Sequence, residues 1–179
     1  MNDSNALYQD AIKQMAQAAH GHGQLDGANG EARLDNPLCG DRVRMQVALD
    51  SGRISAVAHQ TKGCLLCRAA ASLLGARAPG QDAAAIEAVA DELDAMLKGA
   101  APGPAAWPEL AMFVPARAYA SRHRCVLLPF RALQAALGKV AADETTALQG
   151  GRAKNALLAV ADGATANAAE NHGEIKGAL

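Results

Sequence analysis

The chain has 179 residues, half of them apolar but only 3% aromatic, and 17 basic against 18 acidic side chains leave a formal net charge of −1. That length fits one domain with additions, and the charge balance gives no electrostatic case for binding nucleic acid or an anionic membrane. With so few aromatic rings, Ala and Leu must fill the core, which favours closely packed helices over a broad sandwich. No apolar run approaches the roughly 20 residues of a membrane span. The start, Met1-Asn2-Asp3-Ser4, lacks the basic stretch and apolar core of a signal peptide. Four cysteines without an export signal read as metal or thiol chemistry, not disulfides, and the cytoplasm is the expected compartment.

In chain order, Asp3 or Ser4 can cap a first helix to about Ala19, with Leu7, Ile12, Met15 and Ala19 as its apolar stripe. His20-Gly21-His22-Gly23 ends it, and a Gly/Asn/Asp-rich stretch to about Asp35 reads as loop. Val43 to Leu49 alternates apolar and polar, the mark of a half-buried strand. Asp50-Ser51-Gly52-Arg53 then turns the chain, and Ile54 to Gln60 returns as the second strand of a hairpin. Gly63 breaks that strand, and Cys64 opens an Ala-rich helix that stops before Pro79.

Asp82 can cap the next helix, lined by Ile86, Val89, Leu93, Met96 and Leu97 and ended by Gly99. Ala101 to Pro108 is a connector, and Pro108 suits the first position of a short helix to about Val114. Ser121 can cap the last core helix, carrying Cys125, Phe130, Leu133 and Leu137. Pro129 has no N–H for the carbonyl of Cys125, which predicts a kink or a helix restarting at Pro129. From Gly138 onward there is no strong apolar period. The expected organisation is one domain over 1–138 and an Ala/Gly-rich, flexible C-terminal tail over 139–179, with a weak helix near 155–160.

The chemistry lies in three phrases: Asn36-Pro37-Leu38-Cys39-Gly40-Asp41, Gly63-Cys64, and Ser121-Arg122-His123-Arg124-Cys125. Cys39, Asp41, Cys64 and Cys125 together are three thiols and one carboxylate, a full tetrahedral donor set. Zinc accepts both donor types, and thiolates also hold iron–sulfur clusters. Buried, inert cysteines are the bland account. The gaps of 25 (64 − 39) and 61 (125 − 64) residues exceed any single helix or turn, so only the fold can unite these groups.

Cys39 and Asp41 are two apart, so in extended backbone their side chains share a side. Cys64 falls at a helix amino terminus, where free N–H groups favour a thiolate. Three thiolates, a carboxylate and a divalent metal sum to −2 (−4 + 2), which Arg42, Lys62, Arg122 and Arg124 can offset. Cys67, one helical turn beyond Cys64, is read as a small buried apolar residue. A spare ligand, or a redox pair Cys64-Leu65-Leu66-Cys67, is its other account. His20 and His22 read as loop residues and His59 as packing; His123 is the one histidine placed to substitute as a ligand.

These phrases resemble the signatures of the U-type iron–sulfur cluster assembly proteins, the IscU/NifU/SufU group, over about Tyr8 to Leu137. The long segment between Cys64 and Cys125, and Arg122-His123-Arg124-Cys125 with Arg124 before the last cysteine, are similar to the SufU branch. The resemblance implies an α+β fold, a small antiparallel sheet with helices packed on one side. It implies a scaffold or sulfur relay more than a stand-alone enzyme, accepting sulfur from a cysteine desulfurase and serving apo iron–sulfur acceptors or a downstream scaffold. Zinc or a 2Fe–2S cluster would occupy one shared site made by Cys39, Asp41, Cys64 and Cys125. Cys39 and Cys125 would be the sulfur acceptors and Asp41 the labile ligand. Two other classes remain open: an interaction protein with purely structural zinc, and a metal-free thiol redox protein using Cys64 and Cys67.

Overall fold

The computed structural model describes residues 3–103 and 105–163. Helix α1 (Asp3–Ala18) is followed by strands β1 (Gly30–Asn36), β2 (Asp41–Asp50) and β3 (Arg53–Lys62), then helices α2 (Leu65–Arg77) and α3 (Ala83–Leu97). A 3-10 helix (Pro108–Ala118) leads into the long helix α4 (Ala120–Gly163). The strands form one antiparallel sheet in the order β1-β2-β3, which is the expected α+β arrangement. Val43, Met45 and Val47 of β2 are fully buried on the helix side, while Arg42 and Gln60 are exposed on the other. Period-2 alternation thus selects the face that the helices cover.

Strand β1 corrects the reading of residues to Asp35 as loop. Gly, Asp, Asn and Ala are poor strand formers, so Gly30-Glu31-Ala32-Arg33-Leu34-Asp35-Asn36 carries little local signal. Pairing with β2 makes the strand: Ala32 lies opposite Met45 and Leu34 opposite Val43. Its outward carboxylates are also matched, Glu31 taking two hydrogen bonds from Arg44 at 2.8 and 2.7 Å. Gly30 has no room for a side chain, since a Cβ there would lie 2.5 Å from Val140 and 2.6 Å from the Ala136 carbonyl. The segment 19–23 is likewise held to the body, by His59 N–H to Gly21 O (2.7 Å), Gly23 N–H to His59 O (2.9 Å) and His20 N–H to Ser72 Oγ (3.0 Å).

Helix α2 is buried nearly all round from Ala69 to Leu74, and its alanines let neighbouring backbones approach closely. In α3 the Asp82 side chain caps Ala85 N–H at 2.8 Å, and Ile86, Val89, Leu93, Met96 and Leu97 are all buried, as their spacing predicts. Pro108 takes an opening position of the 3-10 helix, which continues past Val114 to Ala118 even though Pro115 lies inside it. Trp107 at its start is buried and lies 6.2 Å from Phe130, tying this connector to α4.

Helix α4 departs from expectation in three ways. It opens at Ala120, with Arg122 N–H bonded to the Tyr119 carbonyl, so Ser121 is inside it and is not its cap. It does not restart at Pro129 but runs through it, because Cys125, Phe130, Leu133 and Leu137 are all buried and packing outweighs one lost backbone bond. It also extends to Gly163, since an Ala-rich segment with few breakers favours helix; residues 164–179 of the expected tail lie outside the described residues. The chain divides into two compact units, Met1–Val140 and Ala141–Leu179, and the sheet belongs to the first. One stretch, Ala120–Asp143, is long and apolar enough to cross a membrane, against the expectation that no run would be. In its most apolar window 56% of residues are buried inside the protein, which accounts for that composition as a core helix.

Candidate metal centre

The three candidate ligand phrases meet at one end of the sheet. Asn36 closes β1 and Asp41 opens β2, directly opposite each other in the register. Between them Pro37 to Gly40 turns the chain, held by Gly40 N–H to Asn36 O at 2.9 Å and Leu38 N–H to Asn36 Oδ1 at 3.3 Å. This turn leaves Cys39 exposed at its tip. Strand β3 ends at Lys62, and Gly63 leads to Cys64, the residue before the first turn of α2. Helix α4 supplies Cys125, which is fully buried.

Cys39 Sγ and Cys125 Sγ are 3.3 Å apart. With an oxygen of Asp41 they form a group whose donor atoms all lie within 4.8 Å of one another. Cys64 approaches the same carboxylate by two routes: its N–H donates to Asp41 Oδ1 at 2.8 Å, and its Sγ lies 3.5 Å from Asp41 Oδ2. Asp41 is therefore central, 2% exposed and touched from three elements. Cys64 stands beside the tight group of three, through Asp41, and not within it.

Gly63 is part of this geometry. A Cβ on Gly63 would sit 2.7 Å from Asp41 Oδ1 and 2.9 Å from its Cγ, so the carboxylate occupies the space a side chain would need. In the sequence Gly63 reads as a strand breaker; its closeness to Asp41 had no sequence signal, because the two are 22 residues apart (63 − 41).

Burial alone would raise the pKa of Asp41. The hydrogen bonds it accepts from the Cys39 thiol, the Cys64 backbone N–H and the Cys125 and Cys64 thiols outweigh that and hold it below the usual carboxylate value. Cys125 moves the other way: burial pushes its thiol up, and its hydrogen bonds to Cys39 and Asp41 add to this. A ligand must be deprotonated to bind, so the positive charge of a metal would drive proton release from this cluster.

The other expected residues fall as follows. Cys67 is fully buried, and burial first, then the nearby Asp41, Cys64 and Cys39 charges, push its thiol up, so it packs as an apolar group. His123 directs Nε2 at the carbonyls of Ala116 (3.1 Å) and Arg117 (3.4 Å), away from a ligand role. His59 is buried and fully engaged, Nε2 with His20 O and Nδ1 with Thr61 Oγ1, each at 3.0 Å. Of the cations, Arg42 is paired with Asp35 at 3.0 Å, and Lys62, Arg122 and Arg124 are exposed.

Comparison with known proteins agrees with this architecture. The family model described as the NifU-like N terminal domain matches residues 7–126. The iron–sulfur cluster assembly scaffold protein IscU of Streptococcus pyogenes serotype M1 is 28% identical over 76% of this chain and 86% of its own. IscU of Thermotoga maritima is 25% identical over 75% of this chain and 94% of its own. The crystal structure of a nitrogen-fixing NifU-like protein (N-terminal) from Brucella abortus superposes with a TM-score of 0.71 at 28% identity, covering 74% of this chain and 93% of the other. A SUF-system scaffold protein from Fervidobacterium islandicum AW-1 shares the fold, with a TM-score of 0.68 at 22% identity over 75% and 98% of the two chains. The chain belongs to the NifU-like N-terminal domain family.

Proposed function

We propose that this protein is an iron–sulfur cluster assembly scaffold whose centre is built from Cys39, Asp41, Cys64 and Cys125. The observation that carries the reading is the meeting of Cys39, Asp41 and Cys125 within 4.8 Å, with Cys64 against the same carboxylate, in a chain of this family. Three soft thiolates suit zinc or a 2Fe–2S cluster at one shared site. The hard carboxylate oxygen is the weakest donor, which makes Asp41 the ligand that leaves first. An interaction protein with structural zinc alone would gain nothing from an exposed thiol at its centre, and Cys39 is exposed.

Sulfur acceptance from a cysteine desulfurase is part of the proposal. The Cys39 thiolate attacks the outer sulfur of the desulfurase persulfide; a new S–S bond forms on Cys39, the old one breaks, and the desulfurase thiolate leaves. Cys39 is the first acceptor because it is exposed at a turn tip. Cys125, buried 3.3 Å from it, is the second. The segment between Cys64 and Cys125, which holds α3 and the 3-10 helix, supports placement in the SufU branch. The clients are apo iron–sulfur proteins or a downstream scaffold. The redox alternative using Cys64 and Cys67 is disfavoured by the full burial of Cys67.

The test is metal and sulfide content of protein purified without oxygen, repeated with each cysteine replaced by serine. About one metal or one cluster per chain is expected, lost in Cys39→Ser, Cys64→Ser and Cys125→Ser. Full occupancy in Cys64→Ser or Cys125→Ser would overturn the ligand set. Sulfur transfer from a desulfurase to Cys39, followed by mass spectrometry of the alkylated protein, separates a scaffold or relay from structural zinc.

A further inference from the structure

Asn36 is 4% exposed, yet its Nδ2 has no hydrogen-bond partner among the described residues. Such a donor is costly to bury, and native proteins seldom leave one unused. The orientation of the carboxamide is not free, because Oδ1 must face Leu38 N–H, which it accepts at 3.3 Å. Flipping the amide would set donor against donor. Nδ2 therefore remains the end without a partner. Its position is equally constrained: Asn36 is opposite Asp41 in the sheet register and starts the turn that presents Cys39. It also lines one groove with Arg124, Leu127 and Leu128, the residues flanking Cys125 on α4.

A neutral thiol is a weak hydrogen-bond acceptor, whereas a metal-bound thiolate carries negative charge and accepts strongly. We infer that Asn36 is a positioning residue of the centre: when the site is filled, its Nδ2–H donates to the coordinated sulfur of Cys39 or Cys125. The acceptor that Nδ2 lacks is then the one that ligation creates. The hydrogen bond withdraws electron density from sulfur, fixes the ligand's orientation and holds the Cys39 turn over the metal. This inference rests on the proposal that the centre binds metal.

Two measurements test it. In the unaltered protein labelled with nitrogen-15, adding cadmium-113 should shift the Asn36 side-chain amide protons downfield and couple one of them to the metal across the N–H···S bridge. One equivalent of cadmium bound with the Asn36 amide unmoved would overturn the inference and leave the metal site standing. No cadmium bound would overturn both. Second, Asn36→Ser keeps an acceptor for Leu38 N–H but removes the amide donor. Loaded with cobalt(II), it should show the sulfur-to-cobalt charge-transfer band at lower energy and bind the ion about tenfold more weakly, the lower end for an outer-shell partner. An unchanged band beside a lowered melting temperature would mean that Asn36 only shapes the turn, which also overturns the inference.

Discussion

The carboxylate of Asp41 is tied to Cys64 by two contacts: Oδ1 accepts the Cys64 N–H at 2.8 Å while Oδ2 lies 3.5 Å from the Cys64 sulfur. One side chain thus aligns the amino terminus of α2 with the Cys39 turn, and Gly63 makes room for it. Gly63→Ala should force the carboxylate aside, because the new methyl group would lie within 3.1 Å of Asp41 Oδ1, Cγ and Cβ. Overpacking of this kind costs about 1–3 kcal/mol. Because the three thiolates hold the metal, occupancy should be kept while cluster transfer to an apo-acceptor slows several-fold more than in a surface substitution of equal stability loss. Calorimetry with transfer rates and metal analysis checks this, and an unchanged rate would show that Asp41 is not needed where it sits.

In the proposed ligand set, Asp41→Ala removes the weakest donor and leaves the three thiolates. Cluster transfer to an apo-acceptor should slow several-fold while metal content holds, since an oxygen ligand sets lability in a soft site. Transfer rate and metal content are measured together. Loss of the metal would mean that Asp41 closes the tetrahedron instead, and an unchanged rate with unchanged metal would remove it from the ligand set.

Cys67→Ser should retain metal and sulfur acceptance. Cys67 is fully buried on α2, and its role is to fill space. Burying a hydroxyl there costs on the order of 1 kcal/mol when its bonding is incomplete. The expected result is a lower melting temperature with unaltered metal stoichiometry. A drop in metal content would make Cys67 a ligand.

His59 predicts an acid sensitivity distinct from the metal centre. Burial, its largest influence, lowers its value from 6.5 to about 4, against the raising effect of the bond to His20 O. The unfolded chain therefore takes up a proton before the folded one does. Stability from neutral His59 is complete above pH 6.5 and drains as pH falls from 6.5 towards 4, by about 3 kcal/mol in all. Melting temperatures of metal-free protein across that window should fall, and His59→Gln, whose amide can replace the Nε2–H donor, should flatten the slope. An equal slope in the variant would assign it to other groups.

Helix and hairpin positions were written in local pattern. Residues 43–49 alternate, Ile86 to Leu97 recur at helical spacing, and Asp82 and Pro108 mark helix starts, because the period and the cap are properties of neighbouring residues. The donor types of the centre were also legible, since Cys39, Asp41, Cys64 and Cys125 stand in three short phrases whose residue types name their chemistry. What the tertiary structure decided depends on distant partners. Strand β1 exists because Ala32 and Leu34 find Met45 and Val43, and α4 passes Pro129 because Phe130 and Leu133 bury. Gly63 and Asn36 took their meaning from Asp41 and the Cys39 turn: a missing Cβ and an orphan amide are visible only when atoms far apart in the chain share one space. Local propensity is read from a few residues, but exclusion and hydrogen-bond satisfaction are settled by whatever the fold places within a few ångströms.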